Sequence, residues 1–105
     1  MKDLIKYSYR HGVYISSYDL AKATGKKHQN LMTSIRRDYK IYIPYQIQNH
    51  RYYKKQKIYL LTRGVIRAVN KNGVYDDLLE AMDEIHKEKS QAMYKAMETF
   101  FNKFK

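Results

Sequence analysis

The sequence predicts an α+β domain with two short helices, a β-hairpin and a long C-terminal helix. Three observations predict it. Between residues 16 and 39, two stretches with helical apolar spacing flank Gly25. Between residues 41 and 61, two stretches of strand character flank a basic, tyrosine-containing segment. From residue 74 to the C-terminus there is no Gly or Pro, and apolar residues recur every three or four positions. Helix, tight turn, basic helix and basic hairpin, in that chain order, is the pattern of a winged helix-turn-helix with a β-hairpin wing. The length, 105 residues, fits one body over residues 1–73, with residues 74–105 as a helix for packing and oligomerisation.

Each element has its own signal. Val13-Tyr14-Ile15 is a short β-rich run. Ser16 or Ser17 supplies an N-cap for a helix through Leu20, Ala21 and Ala23, and Gly25 stops it. A second helix is expected over residues 29–39, with Leu31, Met32 and Ile35 on its apolar face. Ile41, Ile43, Tyr45 and Ile47 alternate with Tyr42, Pro44, Gln46 and Gln48, which reads as a strand. Pro44 lacks an N–H and places it at a sheet edge or at a strand start. Residues 56–61 read as the returning strand. Thr62 can cap a short helix holding Val65, Ile66 and Val69, ended by the turn residues Asn70-Lys71-Asn72-Gly73. A long helix follows from about Val74, with Asp76, Asp77 and Glu80 where the helix dipole favours acids.

Charge is segregated along the chain. Residues 1–73 carry 16 Lys or Arg against three acids, Asp3, Asp19 and Asp38. Residues 74–105 carry five Lys against seven acids, so net charges of +13 and −2 make up the +11 of the whole. A basic body with a near-neutral helix implies a body that meets a polyanion and a helix that meets protein. Charge serving solubility alone would be interspersed rather than segregated.

In a helix-turn-helix the second helix enters the major groove, led by its N-terminal residues. Here those are Lys26, Lys27, His28, Gln29 and Asn30. Gln and Asn can bond bidentately to adenine, and Lys can reach guanine or phosphate. Thr33 and Arg37 follow at one-turn intervals, and Arg36 and Arg37 could reach bases or backbone. In the hairpin, Arg51, Lys54, Lys55 and Lys57 suit contacts to the backbone or minor groove, with His50 at the rim and Tyr52 and Tyr53 beside them.

On the last helix, Leu78, Met82 and Ile85, then Ala92 or Met93, Ala96 or Met97, Phe100 and Phe104 trace one stripe, interrupted by Lys89. The part over residues 74–85 is expected to fold back on the body. Met93, Met97, Phe100 and Phe104 are expected at an interface with a second copy, since a helix of about 30 residues would be roughly 45 Å long. The homodimer would match two half-sites on double-stranded DNA.

Other classes find no support in the sequence. There is no cysteine, so disulfides and thiolate-bound zinc are excluded. The four histidines have no metal-ligand spacing, and the three acids of the body are scattered. No phosphate-binding Gly-rich loop and no nucleophile elbow occurs. No catalytic residue, metal or cofactor is expected, and the chain reads as a non-enzyme. The start, MKDLIKYSYRHG, has no apolar run of a secretory signal, and no stretch of about 18 apolar residues predicts a membrane span. The twelve tyrosines read as half-buried packing groups with wet hydroxyls.

The stretch YISSYDLAKATGKKHQNLMTSIRRDY resembles the Rha family of phage regulatory proteins. The residues that carry the likeness are Gly25, Lys26, His28, Leu31, Met32 and Ile35, followed by Ile58-Tyr59-Leu60-Leu61-Thr62-Arg63-Gly64. The likeness covers roughly residues 13–70. In the family an acidic residue usually stands between the threonine-arginine pair and the next glycine, whereas here Gly64 follows Arg63 directly. The resemblance implies a phage- or prophage-encoded transcription regulator with a winged-helix-like domain, acting in the cytoplasm of a bacterial host near its nucleoid. It also implies that Lys26 and His28 lie on the DNA-reading segment, with Arg36 further along the same helix. A second reading keeps the phage origin but makes the chain an inhibitor, such as an anti-CRISPR, that binds a host nuclease or its guide RNA. A third is a packaging adaptor that binds DNA without sequence preference.

Overall fold

The computed structural model describes residues 2–48 and 56–102. Among these the fold is α+β, with one four-stranded antiparallel sheet and four α-helices. A 3-10 turn, Lys2–Leu4, leads into β1 (Ile5–Ser8) and β2 (Gly12–Ser16). Next come α1 (Ser17–Thr24), α2 (His28–Asp38), β3 (Tyr45–Gln48), β4 (Gln56–Thr62), α3 (Arg63–Val69) and α4 (Asp76–Asn102). The strand order is β1-β2-β4-β3.

The core forms where the helices cover the sheet centre. Ile15 of β2 stands opposite Leu61 of β4, and neither is exposed. Leu20 of α1, Leu31 and Ile35 of α2, and Ile66 of α3 close over them. Tyr75, Leu78 and Met82 join the same cluster, so the first half of α4 folds back on the body as its apolar spacing predicts. Burying each such aliphatic side chain is worth about 1.5–3 kcal/mol.

The caps explain the helix limits. Ser16, not Ser17, caps α1, its Oγ accepting from the Asp19 N–H at 3.0 Å. Gly25 ends α1 at φ 71°, a left-handed conformation that suits glycine. Its N–H and that of Lys26 donate back to the carbonyls of Lys22 and Ala21, a Schellman closure. Thr62 takes the N-cap position of α3 without a side-chain cap bond. Asn72 and Gly73, both at positive φ, turn the chain into α4, and Asn70 Oδ1 accepts from the Tyr75 N–H at 2.7 Å.

Two elements depart from the sequence expectation. The strand expected from Ile41 begins only at Tyr45. The Pro44 carbonyl accepts from the Leu60 N–H at 2.8 Å, but proline has no N–H to return, so the ladder starts at the Tyr45–Tyr59 pair. Ile43 is therefore free to turn into the core while Ile41 stays 70% exposed. The other departure is β1, which the sequence reading left without an element. It pairs with β2 through register partners such as Ile5 and Ile15.

Candidate nucleic-acid interface

The α1–turn–α2 unit presents one face of α2 outward. Leu31, Met32 and Ile35 point inward, leaving Gln29, Asn30, Thr33, Arg36 and Arg37 exposed. Lys26 and Lys27 are exposed in the turn before it. Lys27, the N-cap residue, makes no side-chain cap bond, and no acid lies in the first turn. Neither a side-chain cap nor an acid of its own first turn therefore offsets the positive end of the α2 dipole.

The β3–β4 pair stands beside this face. A cleft of about 380 Å³ between them is lined by Gln29, Thr33 and Arg36 of α2 and by Lys57 and Tyr59 of β4, with the His28 ring at its edge. A second cleft, of about 470 Å³, continues past the end of α2 and shares Arg36, Lys57 and Tyr59 with the first. Among the described residues, no Asp or Glu lines either cleft. The acids of α4 face elsewhere: Asp83 pairs with Arg63 at 2.7 Å, and Glu84 with Lys2 at 3.4 Å. Asp38, at the end of α2, is held by Lys71 at 3.0 Å.

Aromatic rings position the cations. The Arg36 guanidinium lies 4.8 Å from the Tyr59 ring centre, and the Lys57 ammonium 4.6 Å from that of Tyr45. These two tyrosines are opposite each other in register, with ring centres 6.0 Å apart. The four groups make one patch that joins α2 to the sheet edge.

His28 has a structural task at this junction. Its Nε2 shares a 2.6 Å hydrogen bond with Ser17 Oγ, which also accepts from the Tyr59 N–H at 2.9 Å. Ser17 is fully buried, so one hydroxyl ties α1, α2 and β4 together. Burial first, and the Arg36 charge second, lower the His28 pKa below the ordinary imidazole value. A neutral ring can accept the Ser17 hydroxyl proton at Nε2.

The structure thus brings Gln29, Thr33, Arg36 and Lys57 together. The Thr33 hydroxyl also donates to the Gln29 carbonyl at 2.9 Å. Arg37 points away from the clefts, with Nε 3.7 Å from Asp38. Arg51, Lys54 and Lys55 lie outside the described residues, as do His50, Tyr52, Tyr53 and Phe104. Met93, Met97 and Phe100 lie on α4, far along the helix, and are exposed. Lys40, Tyr42 and Tyr45, which line only the second cleft, and Tyr59, which lines both, were not legible as a group in the sequence; the one signal was the density of tyrosines around Pro44.

No helix among the described residues is long and apolar enough to cross a membrane. No family model, curated protein or solved structure matches the chain.

Proposed function

We propose that this protein is a non-catalytic regulator that binds double-stranded DNA as a winged helix-turn-helix, of the phage or prophage kind that the Rha resemblance implies. One observation carries the proposal: the outward face of α2 and Lys57 of β4 share a cleft with no acid among its described lining residues, on the strongly basic part of the chain. A B-form major groove, about 12 Å wide, admits one helix. With α2 in it, Gln29 and Asn30 meet base edges, while Lys26, Lys27 and the uncapped helix N-terminus meet phosphates. Arg36 and Lys57 hold the backbone between helix and wing, and the charges of Arg51, Lys54 and Lys55, outside the described residues, add to the attraction for phosphate. Two copies joined through Met93, Met97 and Phe100 of α4 would place two reading helices on a two-fold site.

The test is equilibrium binding to a blunt duplex over a series of salt concentrations. Affinity should fall linearly on logarithmic axes, by roughly one unit of slope per phosphate neutralised. Arg36→Ala combined with Arg37→Ala should weaken binding by about tenfold, or ~1.4 kcal/mol. Unchanged affinity in that variant would remove α2 from the interface.

A further inference from the structure

The second cleft, past the end of α2, has walls that a paired duplex leaves unused. Tyr39, Tyr42, Tyr45 and Tyr59 line it together with Ile41 and Ile43. Among the described residues, its charged lining groups are the cations Arg36, Lys40 and Lys57. Tyr42 is 75% exposed and Ile41 70%, so an aromatic ring and an aliphatic side chain stand open at the mouth. The volume, about 470 Å³, falls among small-molecule sites, which run from about 300 to 1,000 Å³.

Duplex DNA presents phosphates and base edges, and its base faces are hidden in the stack. Phosphates satisfy the three cations but not the aromatic and aliphatic walls. A base out of the stack has the flat face that such walls take, and its phosphate brings the charge that the cations need. We infer that this cleft holds one unpaired nucleotide of a single-stranded segment, its base against Tyr42 and Ile41 and its phosphate beside Lys40 and Lys57. The inference builds on the nucleic-acid reading of this face and extends it to a different substrate. Because the two clefts share Arg36, Lys57 and Tyr59, a strand leaving the duplex at the end of α2 passes directly into the second. Stacking is tolerant of base identity, so the preference is for unpaired structure and not for sequence.

The experiment compares three labelled probes on the full chain: a blunt duplex, the same duplex with a short oligothymidine tail, and oligothymidine alone. The tail should tighten binding by about tenfold, ~1.4 kcal/mol, within the range for one stacked base. Tyr42→Ala should abolish that gain and leave the blunt duplex within about twofold of its affinity, and Tyr42→Phe should keep the gain. Tyr42 is exposed enough for both variants to fold. Equal affinity for tailed and blunt duplexes, or a gain that survives Tyr42→Ala, overturns the inference. So does displacement of the tail by AMP, which would mean that free mononucleotides occupy the cleft. Oligothymidine binding that depends on Tyr42, without any blunt-duplex binding, would sustain this inference while refuting the duplex reading.

Discussion

Ser17 and His28 show how single residues set the site. The Ser17 hydroxyl is buried and bonded to both His28 and the Tyr59 N–H, so it fixes the start of α2 relative to β4. Ser17→Ala would leave the buried Tyr59 N–H unsatisfied, at a cost of about 1–3 kcal/mol. The His28 bond also makes the junction sensitive to acid. Its pKa is lowered in the folded protein, so the unfolded chain binds more protons in the window below about 6.5. Stability from this group is complete above that value and is lost as pH falls through the window. Urea unfolding midpoints should therefore drop on mild acidification, and His28→Gln should flatten that part of the profile. An unchanged profile in the variant would mean that the ring titrates as freely when folded as when unfolded. Asp38 acts in the same direction at lower pH: its pKa is lowered, first by the Lys71 hydrogen bond, so its contribution is lost only on stronger acidification.

At the scale of elements, the outcome follows from how local each cause is. α1 and α2 were legible because a serine cap, Gly25 and an apolar face each act within a few residues. Pro44 marked a sheet edge or a strand start, and β3 is an edge strand that begins directly after it; what the alternation from Ile41 did not show is that residues 41–44 stay outside the ladder. β1 was not legible: Ile5-Lys6-Tyr7-Ser8 is four residues long and gains its pairing only from β2. The tyrosines of the second cleft were read as packing groups, since nothing in their spacing tells that Arg36 lies over Tyr59 or Lys57 over Tyr45. The first half of α4 behaves as its stripe predicts. Leu78 is 2% exposed, so Leu78→Ala should cost about 2–5 kcal/mol in chemical denaturation. A cost below about 1 kcal/mol would show that the helix packs loosely on the sheet.

The whole molecule is longer than its chain length requires. Its radius of gyration is 16.5 Å, against about 13 Å for a compact domain of this size. The excess comes from α4, whose 27 residues span about 40 Å. Every described residue from 91 onward is exposed, and Met93, Met97 and Phe100 keep their stripe there. An exposed stripe of that kind on one helix suits a second copy. Phe100→Asp should therefore lower the solution mass toward that of a monomer in light scattering while leaving the thermal midpoint nearly unchanged. An unchanged mass would remove the tail from any self-association.

Selection of bound duplexes from a random DNA pool, at low and at moderate salt, tests the central claim most directly. The account predicts an enriched motif, palindromic if the dimer forms, that survives at the higher salt with a specificity ratio of about 10³ or more over random sequence. Binding without any enriched motif, lost entirely as salt rises, would contradict it and leave only a basic surface seeking another partner.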